Sequence, residues 1–157
     1  SYDGHFYLPL SINNKEIIFL VDTGATKSLL SKRDYKLLKK NEINFTTEKI
    51  IETANGKIIA LETTFDKVKL FNNIIGDVTF LVVRDDFEGP NISLLGLDLL
   101  DNKFNYQITN NYLKLQIIGS LLRTNVISNI FVPRINKNRD ICRLHCFSII
   151  NKYYFLI

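Results

Sequence analysis

From Phe6 to Ile117 apolar residues recur largely at every second position, and pairs of turn-forming residues break the runs at short intervals. A period of two is the mark of half-buried strands, whereas an amphipathic helix needs apolar residues three and four apart. This pattern confines the chain to a mostly-β domain. Phe6, Leu8, Leu10 and Ile12 share one face, Asn13-Asn14 turns the chain, and Ile17 to Val21 is a near-continuous apolar run suited to a strand buried on both sides. Strands are expected at Lys49 to Thr53 and Lys57 to Phe65 around Asn55-Gly56, a strong short hairpin signal. Others are expected at Val68 to Leu70, Val78 to Val83, Phe104 to Ile108 and Tyr112 to Ile117, the last two joined by Asn110-Asn111. One short helix should follow Ser31, a good N-cap with Asp34 in a capping-box position and Tyr35, Leu37 and Leu38 inside. A second is expected over Leu97 to Leu100, and Asp85 to Pro90 reads as an exposed acidic loop.

The chain's 157 residues fit one domain. The style changes after Ile117, which divides the chain into a domain over 1–117 and an extension over 118–157. Residues 1–117 carry 14 Lys+Arg against 15 Asp+Glu, so the net charge of +4 comes wholly from the extension. Nucleic-acid binding would want a basic stripe interleaved with stacking aromatics on a folded surface, and the first 117 residues offer none. The extension is rich in Ile and Asn and shows no clear period before Tyr153 to Ile157; an extra strand, a disordered segment and foreign sequence all stay open. Cys142, His145 and Cys146 are soft ligands, but zinc sites commonly use four ligands in two separated pairs, so free or incidentally paired thiols are the expectation.

No stretch approaches the roughly 18 apolar residues of a membrane span, and Ser1 to His5 lack a signal pattern, so a soluble chain is expected. The absence of Met suggests a processed form or an excised segment of something longer, so that any anchor or targeting signal would lie outside this chain.

Chemistry concentrates at Phe19-Leu20-Val21-Asp22-Thr23-Gly24-Ala25-Thr26. A carboxylate placed directly after a buried apolar strand is costly unless something uses or compensates it. Gly24 lets backbone amides approach that carboxylate, and Thr23 offers a hydroxyl to a neighbour or a partner chain. The bland alternative for Asp22 is a turn or N-cap aspartate before Thr26 to Leu30. A second element, Leu94-Leu95-Gly96 ahead of a short amphipathic helix, is weak alone and reads equally as core packing.

Taken together, Asp-Thr-Gly-Ala after an apolar strand, an Asn-Gly hairpin further on, and Leu-Leu-Gly before a helix resemble the retropepsin family of aspartic proteases, over about residues 4 to 117. Gly4-His5-Phe6, Thr53 to Gly56 and the Leu-Leu-Gly helix look closest to the bacterial members, which are often membrane-anchored. The resemblance implies an all-β, closed-barrel acid protease fold active as a two-fold homodimer on peptide or protein substrates, with no metal or cofactor. It implies Asp22 as the catalytic aspartate, with Thr23, Gly24 and Ala25 completing its loop and Thr23 hydrogen-bonding across the dimer. Ala54, Asn55 and Gly56 match the flap tip that closes over substrate, and Leu94, Leu95 and Gly96 match the apolar pair and glycine under the catalytic loop. Many viral members pair an acid two residues after the loop glycine with a base after the second glycine. Here those positions are Thr26 and Leu97; the next residues, Lys27 and Asp98, stand where a swapped pair would form.

Aspartic protease chemistry needs two carboxylates sharing one proton, because like charges about 3 Å apart cannot both ionise easily. The chain has one Asp-Thr-Gly, so two copies must meet on a two-fold axis. With only His5 and His145 available, neither in a nucleophile or metal motif, serine-type and zinc hydrolysis lack an inventory. The rival function is a silent dimerisation or peptide-binding module on the same fold.

Overall fold

The computed structural model of the chain describes residues 4–38, 45–53, 56–83, 89–118 and 129–134. Its elements in chain order are β1 (Phe6–Ile12), β2 (Lys15–Val21), β3 (Leu29–Leu30), α1 (Lys32–Leu38), β4 (Phe45–Thr53), β5 (Gly56–Leu70), β6 (Asn73–Val83), β7 (Ser93–Leu95), α2 (Leu97–Lys103), β8 (Phe104–Ile108), β9 (Tyr112–Ile117) and β10 (Ile130–Pro133). The mostly-β reading is correct. Ala54-Asn55, Asp85-Asp86, the Cys142, His145 and Cys146 cluster and Tyr153 to Ile157 lie outside the described residues.

β1 and β2 form a hairpin running from Phe6↔Val21 to Ile12↔Lys15. Its two-residue turn holds Asn13 at φ 49° and Asn14 at φ 61°, the left-handed pair that a type I′ turn requires and that Asn tolerates. Sheet order is then β1-β2-β7-β3-β6-β5, and β1 returns to pair with β5 at Leu10↔Leu70 and Ser11↔Lys69. Those six strands close into a barrel, leaving β4 as a further strand on the outer part of β5.

One strand therefore serves two partners. β5 is 15 residues long, where the alternation predicts two strands separated at Asp66-Lys67. The register against β6 shifts between Phe65 and Val68, with Lys67 at φ 53°. A bulge of this kind bends a strand without ending it. One end of β5 carries the hairpin with β4, and the other closes the barrel on β1.

The core fills the barrel with Leu8, Leu10, Ile12, Phe19, Leu30, Leu70, Phe80, Leu95 and Leu100, all fully or nearly fully buried. Phe80 sits at its centre, stacked on Phe19 at 5.2 Å and tilted against Phe65 at 6.1 Å. β2 is more sheltered than a one-faced strand: Ile17, Phe19 and Val21 are buried inward, and Ile18 and Leu20 pack outward against Tyr7.

A second antiparallel sheet, β8-β9-β10, follows α2. Leu113, Leu115 and Val132 turn into the core, while Tyr112 and Phe131 meet edge-on at 5.5 Å on the opposite side. β10 comes from the stretch whose sequence shows no period; four residues are too few to display one. It is followed by Arg134, whose guanidinium lies 5.1 Å from the centre of the Phe6 ring and whose backbone N–H donates to Asn111 O at 3.1 Å. Among the described residues no helix is long and apolar enough to cross a membrane.

Candidate active site

The loop from Asp22 to Ser28 is built around a parallel strand pair. β7 lies between β2 and β3, parallel to β2 with Val21 opposite Leu95 and antiparallel to β3 with Leu29 opposite Leu94. The Asp22 N–H continues the ladder by donating to Leu95 O at 3.0 Å, so the half-buried aspartate is held where the barrel strand ends. Its own carbonyl accepts the Ala25 N–H at 3.1 Å, which turns the chain. The Gly24 N–H donates to Asp22 Oδ1 at 2.9 Å.

Gly24 is needed for that approach. A Cβ there would lie 3.2 Å from the same Oδ1, and its φ is not in the left-handed region. Its smallness, rather than any unusual dihedral, allows an amide close to the carboxylate. Thr23 and Gly24 are exposed and Ala25 is half-buried, so the Asp22 turn stands open at the protein surface.

Gly96 is the pivot beneath. It is the N-cap of α2 and makes no side-chain cap, so the helix amides are satisfied by the loop instead: Leu97 N–H donates to Ala25 O at 2.9 Å and Asp98 N–H to Thr26 O at 3.3 Å. A Cβ on Gly96 would meet Lys27 C at 2.6 Å, Lys27 O at 2.7 Å and Ala25 O at 2.8 Å. No side chain fits there without moving backbone. On β7, Leu95 is fully buried in the main core. Leu94 faces the other way, half-buried in a separate cluster with Leu29, Ala60, Leu81, Val83, Ile51 and Ile58.

Three serines complete the frame; of these the residue pattern singled out Ser31 alone, as a helix cap. Ser28 donates to Asp98 Oδ1 through both its N–H (2.9 Å) and its hydroxyl (2.7 Å), and the hydroxyl accepts the Gly96 N–H at 3.0 Å. Asp98 is thus engaged by Ser28, and among the described residues it makes no ion pair with Lys27. The expected swapped pair is replaced by a serine one residue further on, while Lys27 is exposed and lays its backbone against Gly96.

The expected capping box also opens. Ser31 caps α1 as its spacing predicts, accepting the Asp34 N–H at 3.2 Å. The Asp34 carboxylate does not reach back to Ser31; Ser93 sits between them, accepting the Ser31 N–H at 3.0 Å and donating to Asp34 Oδ2 at 2.7 Å. The inserted hydroxyl ties β7 to the helix. These partners lie 59 to 70 residues apart in sequence, so no local pattern marks them.

The structure therefore sets the turn Asp22, Thr23, Gly24 and Ala25 on Leu95 and Gly96, while Leu94 turns to the other side of β7. Gly56 lies elsewhere, at the start of β5 opposite Thr53 with φ 112°, in the two-residue hairpin whose tip, Ala54 and Asn55, is outside the described residues. The single chain contributes one Asp-Thr-Gly carboxylate to this surface; the nearby Asp34 and Asp98 are both committed to serines. One carboxylate can orient a water, but proton exchange with a substrate carbonyl needs a second.

Comparison with known proteins bears on this arrangement. A model of a family described as gag-polyprotein putative aspartyl protease matches residues 8–102. A solved structure of a retropepsin-like aspartic protease from Rickettsia conorii is 32% identical, with a TM-score of 0.54 over 69% of this chain and 88% of that one. The retroviral protease-like domain of Ddi1 from Leishmania major is 21% identical with a TM-score of 0.55, covering 86% of this chain and 97% of that one, a likeness of fold. An uncharacterised protein of Rickettsia prowazekii (strain Madrid E) is 35% identical over 118 residues, which are 72% of this chain and 47% of that protein. The chain thus spans about half the length of this curated relative.

Proposed function

The chain belongs to the gag-polyprotein aspartyl protease family and has a retropepsin-like fold, and from that membership we propose that it is an aspartic endopeptidase whose active site forms when two copies bring their Asp22 residues together on a two-fold axis. The observation that carries the reading is the seating of Asp22: a residue at the end of a barrel strand whose carboxylate is braced by the Gly24 amide and whose backbone N–H is held by Leu95 O, on a turn open to the surface. A turn or N-cap aspartate would not need Gly96 and β7 built beneath it.

In this mechanism the ionised member of the pair takes a proton from a bound water as the water attacks the peptide carbonyl. The protonated member donates to the carbonyl oxygen, and no covalent acyl-enzyme forms. Thr23, exposed beside the pair, would bond the partner's loop. Ala54, Asn55 and Gly56 would close over an extended peptide, and Leu94 and Leu95 with Gly96 would hold the loop from below. The protease unit is assigned to residues 1–117, with 118–157 as an extension that supplies β10. Resemblance to bacterial members that are often membrane-anchored extends the proposal to a domain held near a membrane by a segment outside residues 1–157.

Cleavage of a mixed peptide library between about pH 3.5 and 7, the range in which paired carboxylates exchange protons, tests the reading. A dimeric wild-type sample should cleave and Asp22→Asn should not, whatever the response to pepstatin. Absence of cleavage by a dimeric wild type would favour the dimerisation or peptide-binding module.

A further inference from the structure

We infer that Ser28 and Asp98 form a positioning pair that sets the height and tilt of the Asp22 loop, taking the place of the ion pair absent at Thr26 and Leu97. The inference rests on the protease reading above, but its physical content is the position of a loop.

The loop leaves the barrel at Asp22 and re-enters it at β3, and it is pinned at both ends to the junction of β7 and α2. At the first end the pin is Asp22 N–H to Leu95 O. At the second, Ser28 is fully buried and its hydroxyl both donates to Asp98 Oδ1 and accepts from Gly96 N–H, which leaves that hydroxyl one orientation. An O–H···O⁻ contact of 2.7 Å and an N–H···O⁻ contact of 2.9 Å on one carboxylate oxygen fall in the charge-assisted range, about twice as strong as neutral bonds. Between the pins, the Ala25 and Thr26 carbonyls accept from Leu97 and Asp98. Asp98 therefore holds the loop twice, through its carboxylate at Ser28 and through its own amide at Thr26.

Without that carboxylate, the buried Ser28 N–H loses its acceptor and the hydroxyl is free to turn away from Gly96. The loop would then settle differently over β7. For a pair of carboxylates that must meet across an axis, a misplacement of about 1 Å is enough to lower turnover by up to 100-fold. Substrate binding by other parts of the cleft need not change. Neither residue touches the reacting atoms; both act through the loop.

The test compares Asp98→Ala, Asp98→Asn and Ser28→Ala as full chains with dimer content checked by light scattering. Asp98→Ala is expected to lower kcat at least about tenfold with KM changed less than about twofold. Asp98→Asn keeps an oxygen acceptor for both Ser28 bonds and is expected to restore most of the rate. Ser28→Ala removes the hydroxyl with little change of volume and provides the same reading if Asp98→Ala does not fold. Amide hydrogen exchange supplies a readout free of activity: Gly96 and Leu97 should exchange at least about tenfold faster in Asp98→Ala, with β1 and β9 unaffected. That measurement separates failure of this inference from failure of the protease reading, since it holds even for an enzyme that does not cleave. Wild-type exchange rates at Gly96 and Leu97 in Asp98→Ala, or an Asp98→Asn as impaired as Asp98→Ala, would overturn the positioning role.

Discussion

At Gly96 a methyl group would fall on the Lys27 carbonyl and the Ala25 oxygen, which are backbone atoms unable to swing aside. Gly96→Ala is therefore expected to cost about 1–3 kcal/mol, the usual range for overpacking a close contact. It should appear as a lower urea midpoint at unchanged slope, and a midpoint equal to wild type would show that the loop can lift without penalty. Asp22 itself was legible in the sequence for a simple reason: a charge directly after Phe19-Leu20-Val21 has to be explained. Ser28, Ser93 and Asp34 were not legible in the same way. A serine is compatible with strand, turn and cap alike, and Asp34 was legible only as part of a capping box; what makes these three structural is a partner in a distant segment. The Lys27–Asp98 pairing failed for the same reason, because adjacency along the chain says little about which side chain of a turning loop faces a helix.

Among the elements, strands with five or more alternating residues could be read directly: the β1–β2 hairpin with its Asn-Asn turn, the β4–β5 hairpin, and β8 and β9. β3 and β7, two and three residues long, carry no period of their own, yet they flank and hold the Asp22 loop. β7 could be found only through the Leu-Leu-Gly resemblance. β10 was open only as an extra strand somewhere in 118–157, with no position. Its contribution is nevertheless substantial, since Val132 is 2% exposed and Arg134 covers Phe6, the residue opposite Val21 at the base of the Asp22 loop. A chain ending at residue 117 uncovers the faces of Leu113 and Leu115. It should be less stable than residues 1–134 by about 2 kcal/mol, the scale of one buried aliphatic side chain. Equal denaturation midpoints for the two chains would mean that β10 adds nothing to the fold.

For the whole molecule, closure of six strands into a barrel follows from the bulged β5 reaching back to β1, a consequence that alternation alone does not reveal because it speaks of faces and not of partners. The barrel yields one Asp22 turn, open at the surface and braced from below, which is half of what the proposed aspartic mechanism requires. In the proposed mechanism the other half is a second copy. A fixed amount of wild-type chain mixed with a tenfold excess of Asp22→Asn tests it, once exchange between dimers has reached equilibrium. If catalysis needs both Asp22 residues, most wild-type chains become trapped in mixed dimers and cleavage should fall to about one tenth of its unmixed value. Cleavage that stays at the unmixed level while the two chains demonstrably form mixed dimers would contradict the shared site.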